Sequence, residues 1–449
     1  MADIKTTTPL AALQERFAII DLTSEIRLID LEKVKAMQSG NLRSELSMYK
    51  RSDADLRMKR FLEAQPIACK PNQVIADFWV SPDTIEFNAT AFSPLLMPDS
   101  VLNFWVGPTA GAKPGNWRVL RDFIRDIICA GDEKIFSYMR RFIGHMLQKP
   151  EDKPGVMIVL LGGQGTGKGM FFKLLRSIWP STTLLISDME QVTGRFNDCL
   201  ERNFIVCLDE AMFAGNRKAM DRLKSTVSES YVQIEQKFQP ARSIESVHRF
   251  FASSNHDHFG HIERDDRRSV ILRVSESRQQ DTRYFGQISD ALNDPSTIAA
   301  MVYYFQRENL SGFDVRKKPQ TDEHLTQKLK SLQGFERFWF EVLLAGNLTG
   351  ADKQLGYSCD WSGPTFVPTS TLIDNYKEYN KQAQRYQTVQ STDVTTDVRR
   401  LCPSAKPHRQ LFKHPGHTSN SQFRGLQLPD IATARREFEF AMGGSVPWM

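Results

Sequence analysis

The residues Gly162-Gly163-Gln164-Gly165-Thr166-Gly167-Lys168-Gly169 follow the unbroken apolar run Val156–Leu161 and open the amphipathic segment Met170–Trp179. A glycine-rich turn between a buried strand and a helix lets backbone N–H groups converge on a phosphate without Cβ clashes. The helix N-terminus adds partial positive charge, and Lys168 supplies a point charge for β- and γ-phosphates. The pattern predicts a nucleoside-triphosphate site with ATP as ligand. A loop of this type usually carries Ser or Thr after the lysine to hold Mg²⁺, and here the position is Gly169. The metal must then lean on another carboxylate and on water. Nucleoside monophosphate kinases share the Gly-Lys-Gly ending, so the loop alone leaves the reaction class open.

The second half of such a site is expected at Asp209-Glu210, where the apolar run Phe204–Leu208 ends. Asp209 is placed to hold Mg²⁺ directly or through water, and Glu210 to polarise the attacking water as a general base. A kinase has no need of that base, so the pair favours hydrolysis. The run His248–Ser253 ends in Ser254-Asn255, and Asn255 at that tip can contact a γ-phosphate or the lytic water. Before a fifth apolar run stand Arg264, Asp265, Asp266, Arg267 and Arg268. Arg267 or Arg268 inserted into a neighbouring subunit's site would stabilise transition-state charge. A plain salt-bridge network is the competing explanation.

Candidate nucleic-acid contacts are Lys224 and the pair Lys237-Phe238. That pair lies near the tip of a hairpin suggested by the alternation Tyr231–Phe238 and combines a phosphate contact with a stacking ring. From Val398 to Pro429 there is no carboxylate, while Arg399, Arg400, Arg409 and Lys413 fall inside that window. Such a stretch suits a polyanion. His256, His258 and His261 beside Asp257, and Cys402 with His408, His414 and His417, match no common zinc spacing; loop polarity or DNA contacts explain them better. Asp53-Ala54-Asp55 is the only Asp-x-Asp of the N-terminal third and sits in a basic helical stretch. No primer synthesis by this chain alone is expected.

These groups need a scaffold. Apolar runs at 156–161, 183–187, 203–208, 248–253 and 269–274 alternate with helical patterns, which predicts α/β architecture, a parallel sheet with helices on both faces. Upstream, Leu120, Phe123, Ile124, Ile127 and Ile128, then Ile135, Met139, Phe142, Ile143 and Met146, keep helical spacing. Asp294-Pro295 starts another helix. Residues 16–29 read as two strands around a turn, and 66–117 as loops and short strands. The expected organisation is an N-terminal α+β region (1–118), a helical segment packing on the ATPase (119–150), the nucleotide core (151–310), a helical connector (311–362) and a DNA-binding domain (363–449). The chain has 449 residues, 41% hydrophobic and 25% charged, with net charge +5. No apolar run approaches bilayer length, and six scattered cysteines make no Cys-x-x-Cys pair. A reduced cytoplasmic setting without membrane contact is expected.

The ordered set of the glycine loop, Thr193-Gly194-Arg195-Phe196-Asn197, Leu208-Asp209-Glu210-Ala211, Leu223-Lys224-Ser225, Ser253-Ser254-Asn255 and Asp266-Arg267-Arg268 resembles the helicase part of phage and mobile-element primase–helicases. These belong with the superfamily 3 helicases, an AAA+ branch that includes poxvirus-type enzymes. Asn103-Phe104-Trp105, Gly115-x-Trp117, Ser331-Leu332 with Trp339, and Gly425-Leu426 through Phe438 extend the resemblance. It implies an AAA+ P-loop core with a winged-helix C-terminal domain. It also implies a hexameric ring moving on single-stranded or forked DNA by ATP hydrolysis in a phage-infected bacterial cell, beside a separate primase. The same residues fit an ATP-switched, DNA-binding initiator or assembly protein with little unwinding.

Overall fold

The computed structural model describes residues 8–22, 25–38, 47–66, 68–210, 217–237, 241–257, 259–260, 262–263, 266–347, 361–382, 391–412 and 421–448. Helix α1 (Pro9–Arg16) starts where the Thr8 hydroxyl accepts the Ala11 N–H at 3.2 Å and proline takes the first position, where a missing donor costs nothing. Strands β1 (Phe17–Leu22) and β2 (Glu25–Asp30) pair antiparallel, as their sequence predicts. Helices α2 (Leu31–Gln38), α3 (Arg51–Glu63) and α4 (Pro71–Val80) follow. The composition around α4 reads as loop, yet Pro71 again starts a helix, and Ile75 and Phe78, one turn apart, close a core with Leu13, Phe17 and Met58. The short strands β3 (Glu86–Phe87), β4 (Ala89–Ala91) and β5 (Val101–Asn103) complete this region.

Helix α5 (Arg118–Asp122) runs into a π-helical turn, Phe123–Ile128, rather than the regular helix its spacing suggests. The wider turn buries Phe123, Ile124, Ile127 and Ile128 together. Helix α6 (Glu133–Gln148) is capped by Asp132, which accepts from the Lys134 and Ile135 N–H groups.

The expected parallel sheet is present. In chain order its strands are β6 (Met157–Leu161), β7 (Thr183–Ile186), β8 (Ile205–Leu208), β11 (Arg249–Ser254) and β12 (Ser269–Arg273). Their spatial order is β12-β6-β11-β8-β7, all neighbours parallel. Every residue of β6 is buried, as a strand with helices over both faces requires. Helices α7 (Lys168–Ile178), the one-turn α8 (Glu190–Thr193) and α9 (Arg217–Ser228) connect the strands. An antiparallel hairpin, β9 (Tyr231–Ile234) with β10 (Arg242–Glu245), projects before β11. Helices α10 (Thr282–Asn293) and α11 (Pro295–Phe305) follow, the latter capped by Asp294 as expected.

The chain forms two compact units, 1–259 with 267–319, and 260–266 with 320–449. The second unit holds α12 (Asp322–Ser331), α13 (Gly334–Ala345), β13 (Thr365–Pro368), α14 (Thr369–Gln382), α15 (Ser391–Leu401), β14 (Lys406–Phe412), β15 (Ser421–Leu428) and α16 (Ile431–Met442). Its sheet is antiparallel in the order β13-β15-β14. Trp339, Trp361, Phe338 and Phe438 centre a separate core. Within the basic window, where the sequence shows only charge, Lys406–Phe412 and Ser421–Leu428 pair antiparallel. Among the described residues no helix is long and apolar enough to cross a membrane.

Candidate functional site

The glycine loop sits at the C-terminal edge of β6, an inner strand between β12 and β11. Gly162, Gly165 and Gly167 have φ of +158°, +78° and +97°. A Cβ on Gly167 would stand 2.7 Å from Phe285 and 3.1 Å from Phe123, so both backbone conformation and space demand glycine there. The π-helical turn is what brings Phe123 to this position. Lys168 is buried, and its ammonium donates to the Gly162 and Gly163 carbonyls at 2.6 and 2.7 Å. Burial lowers its pKa, and the carboxylates of Asp209, Glu210 and Glu276 oppose that shift. The lysine and both acids therefore share one electrostatic site.

The order of strands explains how the acids get there. β11 lies between β6 and β8, so the tip of β11 separates the loop from Asp209-Glu210 and can touch both. The Ser254 carbonyl accepts the Gly162 N–H at 3.3 Å. The fully buried Ser253 hydroxyl donates to Asp209 Oδ1 at 2.6 Å and accepts the Glu210 N–H at 3.2 Å. Asn255 Nδ2 donates to Glu210 Oε1 at 3.1 Å. Glu210 itself has φ +56°, a conformation costing a non-glycine residue about 1–3 kcal/mol when the surroundings hold it in place. Ser253 is a positioning group the sequence shows only as one serine of a polar tip. No spacing rule distinguishes it.

A second feature was not legible. After β12 the chain turns back over the glycine loop: the Val274 N–H donates to Leu161 O at 2.8 Å and the Gln280 N–H to Gly165 O at 3.0 Å. Gln279 Nε2 donates to Gln164 O at 2.9 Å, and Glu276 Oε1 accepts the Gly163 N–H at 3.5 Å. Glu276 thus offers a carboxylate oxygen to an amide of the kind that binds phosphate. By contrast, a Cβ on Gly169 would meet nothing within 4 Å.

Arg267 and Arg268 lie at the opposite edge of the sheet. They precede β12, which runs parallel to β6 in the register Ser269↔Met157 to Arg273↔Leu161. Five residues of strand separate them from the loop's edge, roughly 16 Å at about 3.3 Å per residue. Arg268 Nε donates to Ser228 Oγ at 3.2 Å, whereas Arg267 is exposed and has no ion-pair partner among the described residues. Arg264, Asp265, His258 and His261 lie outside the described residues.

The other sequence candidates separate. Lys224 is only 6% exposed on α9. Lys237 is exposed beyond β9; Phe238 and Lys413 fall outside the described residues. The ring beside Lys237 is Phe196, 42% exposed, with Lys237 Nζ and the Arg195 guanidinium each 5.6 Å from its centroid. Asn197 ties this segment to the hairpin: its side chain donates to Gln233 O at 2.9 Å and accepts the Glu235 N–H at 3.0 Å. Arg399 and Arg409 stay exposed, but Arg400 is paired with Glu336 at 2.7 Å and Asp397 at 2.9 Å. Among the described residues no three His, Cys, Asp or Glu gather as a metal cluster.

Residues 160–268 match the model of a family of unknown function, DUF5906. Over 187 residues the chain is 25% identical to a DNA primase-polymerase of Nitratiruptor phage NrS-1, a stretch covering 40% of this chain and 25% of the relative. The chain thus spans about a quarter of that curated relative's length. The apo structure of the NrS-1 C-terminal region (305–718) superposes with a TM-score of 0.65 at 15% identity, covering 94% of this chain and 99% of that one. A second apo form of that region gives 0.65 at 14% identity, covering 93% and 98%. At these identities the shared property is the fold.

Proposed function

We propose that the chain is an ATP-hydrolysing motor of phage or mobile-element DNA replication, acting on single-stranded DNA as a ring of copies. The observation that carries this reading is the convergence of Lys168, Asp209, Glu210 and Asn255 at one sheet edge, with Arg267 at the other. In a ring, one subunit's far edge faces the next subunit's loop, which suits an AAA+ arrangement. The relation to a phage primase-polymerase supports a role in replication. In the second unit, the succession α13, β13, α14, α15, β14, β15 is what a winged helix requires, and it supports DNA binding.

The residues fit ATP with Mg²⁺. Asp209 Oδ1 is held by Ser253, and among the described residues its second oxygen has no protein partner, which leaves a hard oxygen donor for a hard cation. Bound Mg²⁺ would neutralise charge on the β- and γ-phosphates. Lys168 would exchange its bonds to Gly162 and Gly163 carbonyls for stronger charge-assisted bonds to phosphate. Glu210, oriented by Asn255, would accept the proton of the attacking water. Phe196 and Lys237 would offer a stacking face and a phosphate contact to the strand being moved.

ATP turnover with and without single-stranded DNA tests the proposal. Stimulation by DNA is expected, with Lys168→Ala lowering turnover by at least about a hundredfold, the scale of losing one preorganised phosphate or oxyanion donor. Turnover indifferent to Lys168→Ala would sink it. A forked duplex then separates a motor from an ATP-switched assembly protein, since only the motor displaces a strand. Because the space beside Gly169 is open, Gly169→Ser is expected to fold. Its hydroxyl should lower the Mg²⁺ concentration for half-maximal turnover several-fold; an unchanged Mg²⁺ titration would place the metal away from that position.

A further inference from the structure

In the second unit Arg409 of β14 and Arg424 of β15 are direct cross-strand partners. Opposite residues on paired strands lie on one face with their Cβ atoms about 5 Å apart, and like charges there destabilise a hairpin. Neither arginine has an ion-pair partner among the described residues. Both line a cleft of about 460 Å³ with Arg399 of α15, and Thr369, Thr395 and Thr396 line the same space. Among the described residues no carboxylate lines it. Two guanidiniums set face to face with no ion-pair partner among the described residues, a third beside them, and no described acid in the lining make a cleft suited to an anion. The neighbouring Arg400, turned to Glu336 and Asp397, shows how this unit neutralises an arginine when no ligand is needed.

We propose that this cleft grips the phosphodiester backbone of duplex DNA. Three guanidiniums match successive phosphate oxygens, and the threonine hydroxyls supply the shorter neutral bonds that fix register. Among the described residues the lining holds no Phe, Tyr or Trp and one imidazole, His408, so successive unstacked bases find no row of platforms here. That favours the duplex, which hides its bases and displays a denser row of phosphates, over the single strand. The inference rests on the reading of the chain as a DNA-acting protein and adds a second, structurally separate nucleic-acid contact to it.

The test measures binding of the full chain to a short blunt hairpin duplex and to an oligo-dT strand, by fluorescence anisotropy across a salt series. Arg399→Gln, Arg409→Gln and Arg424→Gln are each expected to reduce the slope of log affinity against log salt by roughly 0.9 for the duplex. Arg400→Gln should leave that slope unchanged. Arg409→Gln should also raise Tm, because it relieves the cross-strand repulsion; a lowered Tm would show the arginine satisfied within the fold and overturn the argument. A slope altered only for oligo-dT would assign the cleft to single strands and overturn the duplex reading. Single-strand-stimulated ATP turnover without duplex binding would sink the cleft alone, whereas loss of both DNA binding and stimulation would sink the motor itself.

Discussion

Glu210→Gln is expected to bind ATP as the unaltered chain does and to hydrolyse it about 10²–10⁴-fold more slowly, the range for loss of a positioned general base. The geometry argues for a base and not a structural acid. Glu210 is held at φ +56°, its N–H donates to Ser253, and its carboxylate accepts from Asn255. Two separate hydrogen bonds hold a backbone conformation that the residue would otherwise leave, as at functional sites that store strain. The amide of glutamine can still accept from Asn255 but cannot take a proton. Single-turnover kinetics beside nucleotide binding make the check. Equal losses in binding and in the chemical step would show that Glu210 supports the loop and does not act on water.

Arg267→Ala is expected to cost about 10³–10⁵ in turnover, the effect of an arginine finger, while Arg268→Ala costs far less. Arg268 is already bonded to Ser228, but Arg267 stands exposed at the sheet edge roughly 16 Å from its own loop, by strand length. No side chain spans that gap within one chain, so a finger at this position would have to act on a neighbour. Mixing Arg267→Ala with Lys168→Ala subunits should therefore restore partial turnover, because some interfaces pair an intact loop with an intact finger. No rescue at any mixing ratio would make Arg267 a structural residue and leave the ring without its main chemical support.

Strands β6 and β8 were the most legible of the core because burial on both faces leaves an all-apolar run with little other use. The glycine loop was legible because few functions need that many small residues before a lysine. Asp209 and Glu210 were readable from their place at the end of such a run. Ser253, Glu276 and Phe196 were not. Ser253 acts only because β11 slots between β6 and β8, an order that sequence periodicity does not encode. Glu276 approaches Gly163 only because the chain turns back after β12. Beside its neighbour Arg195, Phe196 gains Lys237 from a hairpin more than thirty residues downstream, and α4 became a helix through a core shared with α1 and β1.

The amino-acid sequence alone determined the local chemistry: which turn can cradle phosphate, which strands are buried, which helix starts at Asp294, and where basic charge concentrates. Those follow from dihedral preference, side-chain period and solvation, all readable within a few residues. Tertiary structure decided which of those groups meet. It set Asn255 on Glu210, turned Arg400 to carboxylates while leaving Arg409 facing Arg424, and buried Lys224. The physical reason is that Coulomb and hydrogen-bond energies depend on distances of a few ångströms between residues tens of positions apart, and only the packing of the strands and helices sets those distances.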